Sequence, residues 1–542
     1  MKPMKKTMRL MMSVLACGLL LLTSCSKSAK LAAYIPDDAF MVVNVNAVDL
    51  MQKMDVENID NISFVKLARQ ELKSEDPKMA ELVDKIIADP LSTGLNLKED
   101  MLAYVTLSNE YNALVAMHKE SKFEDFLTQF AKDEEYEISI TEKDGFKVAT
   151  IDGSEALAFN GKVLAIGSAA QNPGTRLKLD KDQSLADNDN FEQYWKTHSE
   201  IGFWMAFEPI FKTLKMMGRD DDLVNSGLPE EYIDALEDAA YSINLVFDKG
   251  AFRMVVNTQG IDPKDWKVYQ QDFNADLVNL MPETCYATLA SAVKIDEMVK
   301  MLSNMKDAVD INEEIADNIT VKDLLQSLNG SVLVSLFDIV QMDESSVVPM
   351  LAIAADVNNA ATIKNLLAKL GLTQQDGLYV IPDFGLGTDA YIALNDKAVY
   401  LTNSKEAANQ FLAGGYKNGM KNVAQKVKKG NFFYADLNVN HYPAPIVKLI
   451  PSNIVTLLGG YFDYLECGAI SSTSAECTIH LVESKENSLL FTLHYIDKNL
   501  VELANLAESL EEEVDSYGLG NTDGDTEENY EEEIWNDGDF EI

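Results

Sequence analysis

Apolar residues along this chain come in short β-prone runs punctuated by Gly, Asn and Asp, and between those runs they recur at helical spacing. The first run opens at Ile35-Pro36-Asp37-Asp38-Ala39-Phe40 and predicts a strand over Ala39 to Asn46. Helix-prone segments follow from about Asp49 to Ala88, and Pro90 with Thr93-Gly94 closes them. Leu102 to Leu107 and Ala113 to Met117 predict a hairpin, while Phe123, Phe126, Leu127 and Phe130 mark one helix face. Phe146 to Ile151 and Val163 to Ile166 predict further strands, with a type I′ turn expected at Asn160-Gly161.

The same order recurs after Met281-Pro282-Glu283-Thr284-Cys285-Tyr286. Val332 to Phe337 and Met350 to Ala355 predict a hairpin, and Ile363, Leu366, Leu367 and Leu370 a helix. Asp376-Gly377 answers Asp144-Gly145, and Asn395-Asp396-Lys397 answers Asn160-Gly161-Lys162. Gly202-Phe203-Trp204-Met205 resembles Asn431-Phe432-Phe433-Tyr434. Strands are then expected at Tyr241 to Phe247 and Phe252 to Asn257, and at Cys477 to Val482 and Leu489 to Tyr495. Each half ends in Ile-Asp ahead of a helix, at Ile261-Asp262 and Ile496-Asp497. The expectation is therefore an α+β fold: two similar halves, an internal duplication, of antiparallel hairpin strands with intervening helices. Its segments are a signal peptide over 1–24, a tether over 25–33, halves over 34–262 and 281–498, a linking helix over 263–280, and a C-terminal helix and acidic tail over 499–542.

Charge changes this picture at both ends. The chain of 542 residues carries a net charge of -41, which repels nucleic acid and anionic head groups. Its first 25 residues run the other way, with Lys2, Lys5, Lys6 and Arg9 before an apolar core from Leu10 to Leu22. That core is shorter than the roughly 20 residues a spanning helix needs, and it has the layout of a secretion signal. Residues 508–541 hold 15 carboxylates and no Lys or Arg, a composition expected to stay disordered.

Leu22-Thr23-Ser24-Cys25 resembles a bacterial lipobox, which implies acylation of Cys25 and anchoring through its lipid. Ser26 after the cysteine, by resemblance to lipoprotein sorting, points to the outer membrane, and the lack of an acidic cluster there to its periplasmic face. With Tyr34-Ile35-Pro36-Asp37-Asp38-Ala39-Phe40 close behind and the two-half body, the chain resembles an uncharacterised family of Bacteroides lipoproteins described as a domain of unknown function. The resemblance covers the mature chain to about Asn499 and brings no activity, cofactor or catalytic residue with it.

Candidate chemistry is sparse. The sequence has no Gly-x-Ser-x-Gly, His-Glu-x-x-His or P-loop, and no zinc-type Cys/His spacing. No cofactor or metal is expected. Asn521-Thr522-Asp523-Gly524-Asp525 resembles a calcium loop but has Thr526 where the turn needs glycine. His480 and His494 would face each other if 485–488 made a turn, and Cys467 and Cys477 flank a possible turn at 471–474, either as a disulfide or as two buried thiols. Phe203, Trp204, Phe432 and Phe433 are the candidate binding surface, with one of each pair expected in the core because adjacent strand residues face opposite ways. The reading is a non-enzymatic binding or scaffold lipoprotein of the envelope with a protein or glycan partner. A carboxylate-dependent glycan or peptide hydrolase and a glycan-capture lipoprotein of an outer-membrane uptake system are the alternatives.

Overall fold

The computed structural model describes residues 30–503, apart from 90, 109, 134–135, 220–229, 263–267, 269–270, 305–309, 343–345 and 385–387. The leader with Cys25, the acidic tail and the calcium-like loop lie outside the described residues. The chain divides into a unit of residues 1–491 and a unit of residues 492–542, whose described part is helical.

In the first half the strands are β1 (Ala39–Val45), β2 (Met101–Thr106), β3 (Tyr111–Ala116), β4 (Ile138–Lys143), β5 (Phe146–Ile151), β6 (Ser154–Phe159), β7 (Val163–Gly167), β8 (Ile201–Ala206), β9 (Ala240–Asp248) and β10 (Ala251–Gln259). The second half begins with β11 (Ala287–Ala292), followed by a two-stranded ribbon of β12 (Glu314–Ala316) and β13 (Ile319–Thr320). Its remaining strands are β14 (Leu328–Gln341), β15 (Val347–Val357), β16 (Gln374–Gln375), β17 (Leu378–Ile381), β18 (Ala390–Leu394), β19 (Ala398–Thr402), β20 (Phe432–Asp436), β21 (Phe462–Ser471) and β22 (Ser474–Leu481).

Every pairing is antiparallel, and all strands except β12 and β13 join one 20-stranded sheet. The spatial order in the first half is β4-β5-β6-β7-β3-β2-β1-β8-β9-β10. In the second half it is β16-β17-β18-β19-β15-β14-β11-β20-β21-β22, position for position the same arrangement. The halves meet where β10 pairs with β22. There Val255 lies opposite Glu476, flanked by Met254–Cys477 and Val256–Ala475. Register within the halves makes Val255 and Glu476 equivalent, as it does Val256 and Cys477. The join is thus self-complementary about a local two-fold, the geometry of an isologous interface.

Local chemistry explains the turns. Asp144-Gly145 and Asp376-Gly377 both take positive φ at both residues (54° and 78°, 50° and 86°), which makes them the type I′ hairpin turns. The expected type I′ turn at Asn160-Gly161 is instead held by the asparagine side chain. Asn160 Oδ1 accepts from Lys162 N and Val163 N at 2.8 and 3.1 Å, and Asn395 Oδ1 from Lys397 N and Ala398 N at 2.8 and 2.9 Å.

Two further expectations change. Leu489 to Tyr495 is not a strand but part of the helix Ser488–Lys498, so Ile496-Asp497 lies inside a helix rather than ahead of one. The strands that match β9 and β10 are β21 and β22, and the described end of the 263–280 segment is a 3-10 helix, Ala275–Leu280. The likeness of Gly202-Phe203-Trp204 to Asn431-Phe432-Phe433 slips by one residue. Phe203 lies opposite Val43 and Ile243, and Phe433 opposite Leu289 and Cys467, so Phe203 matches Phe433 and Trp204 matches Tyr434.

Each half builds a core on one face of its strands. Phe191, Tyr194 and Trp195 of the helix Asp189–Thr197 pack on Val42, Tyr104 and Trp204 in the first. Phe411, Met420 and Val423 pack with Tyr400, Leu333 and Phe432 in the second. On the opposite face the first half is covered from β5 to β7 by the helix Glu120–Asp133, with Met51 and Ile86 of the helices Ala47–Lys53 and Pro77–Ala88 in the same cluster as Val115 and Met101, and the second half by the helix Ala360–Lys369 at Tyr379 and Leu394.

Candidate functional site

The central strands leave that opposite face open. Register carries one apolar row across it: Val45, Ile201, Leu245, Met254, Cys477, Cys467, Phe433, Leu289, Val334 and Ile353, each opposite the next. A second row runs from Val43 through Phe203, Ile243, Val256 and Ala475 to Ala469. None of these residues is buried. Leu289 is 50% exposed, and Leu245, Leu351 and Ile353 are exposed as well. Both halves thus offer large apolar side chains to solvent on this one face.

Strand alternation sorts the four candidate aromatics. Phe203 and Phe433 are half-exposed on the open face, at equivalent positions on either side of the join. Trp204, at 0% exposure, and Phe432 belong to the two cores. The exposed leucines were missed because periodicity alone gives no sign of which strand face a helix covers. The usable signal was that β1, β2 and β8 are apolar at odd and even positions alike, as a strand with two apolar faces must be.

Cys467 and Cys477 sit directly opposite each other in this face and are disulfide-bonded. Cys285 is the free thiol among the described residues; burial pushes it up to about 12, which leaves it a core thiol rather than a nucleophile.

The polar clusters lie elsewhere. His198, buried beside Trp195 with ring centroids 4.2 Å apart, places Nδ1 2.5 Å from Trp195 O and Nε2 3.2 Å from Asp100 Oδ2. Lys53 reaches Glu200 at 2.5 Å nearby, and Asp49 is raised by burial first and then by Glu200 and Asp100. On the helix side of the second half, His480 Nε2 lies 3.0 Å from Glu466 Oε1 and stacks on Tyr464. Lys426 also binds Glu466; burial pushes that carboxyl up, but the bonds from Lys426 and His480 outweigh it and hold it below its usual range. His441 Nδ1 lies 2.9 Å from Asp436 Oδ2. His494 lies on the helix Ser488–Lys498, not on a strand facing His480. In each of these clusters the histidine is matched to a carboxylate, and among the described residues no set of three His, Cys, Asp or Glu side chains is grouped to hold a metal. Among those residues, too, no helix is long and apolar enough to cross a membrane.

Comparison with curated proteins and with solved structures returns no match to either. A family model does match, over residues 32–489, the span that carries all of the paired strands. The chain belongs to the family described as a domain of unknown function, DUF4836.

Proposed function

We propose that this protein is a lipid-anchored envelope lipoprotein that binds a partner without turning it over, and that the open apolar face of its sheet is the docking surface. The observation that carries the reading is that face. It runs unbroken through the join of the two halves, exposes Leu245, Leu289, Leu351 and Ile353, and holds Phe203 and Phe433 at matched positions. The matching strand order supports an origin of the halves by duplication of one ancestral unit. Anchoring at Cys25 on the periplasmic side of the outer membrane rests on Leu22-Thr23-Ser24-Cys25 and its leader. A cross-strand disulfide fits an oxidising compartment.

The test is fatty-acid labelling and in-cell crosslinking of the tagged protein, beside a Cys25→Ala form that keeps a cleavable signal. Label on the wild type alone, with envelope proteins captured from it and lost in the variant, is the expected result. Capture of nothing by either form contradicts the docking reading, and absence of label contradicts the anchor.

A further inference from the structure

A second surface, separate from the open face, is built by two helices of the first half. The helix Pro77–Ala88 belongs to the long insertion between β1 and β2 and runs beside the helix Glu120–Asp133, with a groove of about 760 Å³ between them. The two helices are antiparallel here. His118 N and Lys119 N both donate to Gly94 O, which brings the start of Glu120–Asp133 next to the segment that follows Pro77–Ala88.

That arrangement gives the groove two unlike ends. Its floor is apolar, formed by Met79, Leu82, Phe126 and Phe130, with the Phe126 and Phe130 rings stacked at 6.1 Å. At the end near residue 94 stand Lys85 and Lys122, and among the described residues neither has a carboxylate within ion-pair distance. Ser92 Oγ, buried at the same end, has no hydrogen-bond partner. The N-terminus of Glu120–Asp133 adds its positive dipole end there. Glu81, Asp89 and Asp125 also line the groove, but Asp89 Oδ1 is engaged by Leu91 N at 3.1 Å. Lys85 and Lys122 stand beside the apolar trough, where they can meet an anionic head group.

We propose that this groove binds a single-chain amphiphile bearing a carboxylate: the acyl chain on the Leu82–Phe126 floor, the head group on Lys85, Lys122 and Ser92. The chemistry is that of a free fatty acid. Its size is in keeping, since clefts of roughly 300–1,000 Å³ are the usual range for small ligands.

The experiment is titration of the full soluble chain with dodecanoate below its micelle concentration, followed by calorimetry. Dodecanol, hexanoate and an amphipathic helical peptide serve as comparison ligands. The wild type is expected to bind dodecanoate saturably and hexanoate much more weakly. Lys85→Gln with Lys122→Gln, both exposed positions, should weaken dodecanoate at least ten-fold and leave dodecanol unchanged. A Leu82→Ser variant that still melts cooperatively should weaken both. Equal dodecanoate affinity in the lysine variant overturns the proposal, as does absence of saturable binding. Tight binding of the peptide with none of dodecanoate overturns it in favour of a protein occupant. A Phe203→Ser form, altered only on the open face, is expected to bind dodecanoate as the wild type does, which keeps this test separate from that of the docking face.

Discussion

The two halves solve one position of the same sheet in opposite ways. In the first, Asn44, Gly202 and Asn244 lie opposite one another across β1, β8 and β9. Tyr194 OH donates to Asn44 Oδ1, Asn44 Nδ2 to Ser199 O at 2.9 Å, and Ser199 N to Asn244 Oδ1 at 3.2 Å. Gly202 makes room for this network, since a Cβ there would collide with Asn44 Oδ1 and Tyr194 OH. In the second half the matching residues are Ala290, Phe432 and Gly468, and the Phe432 ring fills the space. The topology demands volume at this point, not polarity. A polar network that the fold does without in one half is a local choice in the other, and one that leaves Asn244 Nδ2 buried without a partner.

The largest effect is expected from filling the first half's site as the second half's is filled. Gly202→Val should cost about 3 kcal/mol by overpacking a buried, hydrogen-bonded site. Adding Asn44→Ala, the residue type found at the matching position, should recover at least about 1 kcal/mol. Urea midpoints of the two single variants and the double variant measure the coupling. Equal losses in the single and double variants would mean that the clash is not with Asn44.

A somewhat smaller effect is expected at the disulfide. Cys467 and Cys477 occupy the positions held by Ile243 and Val256 in the first half. Replacing both with Ala should cost about 2.5 kcal/mol for a loop of this length. Cys467→Ile with Cys477→Val, copying the first half, should lose less, and calorimetric melts of the two double variants decide the order.

Glu466 gives a pH-dependent difference. Its folded carboxyl is held below the unfolded value, so its contribution is present above the unfolded pKa and is lost as pH falls through the folded one. Glu466→Gln should therefore cost about 1 kcal/mol at pH 7, and the cost should shrink as pH falls through the folded pKa. A constant loss across that range would refute the ionic account.

The smallest stability change belongs to the open face. Phe203→Ser or Phe433→Ser should shift stability by about 1 kcal/mol or less, because each ring is half-exposed. Capture of envelope partners should fall in both, and a loss in only one would show that the halves do not share the surface.

Much of this architecture was legible in the residues, for physical reasons that differ from place to place. Asp144-Gly145 and Asp376-Gly377 announce their hairpins because few other residue pairs accept positive φ twice. The hairpin from Leu102 to Met117 and the helix carrying Phe123 and Phe130 follow from period alone. Ser488–Lys498 did not, since Leu489, Leu490, Phe491 and Leu493 form an apolar cluster too dense to choose between a strand and a helix. The single-residue slip at Phe432 went unseen because consecutive aromatics align equally well either way, and only pairing with Leu289 fixes the register. The open face was illegible for a different reason. Which side of β1, β8 and β20 receives a helix is decided by contacts distant in sequence.

Docking on the open face can be tested with a photo-crosslinking residue placed at Leu289, on that face, beside one at Lys196, on the solvent side of the helix Asp189–Thr197 over the opposite face. Irradiation of cells should give a discrete adduct from position 289 and none from position 196. Adducts from both positions alike, or from neither, would contradict a docking surface on the open face of the sheet.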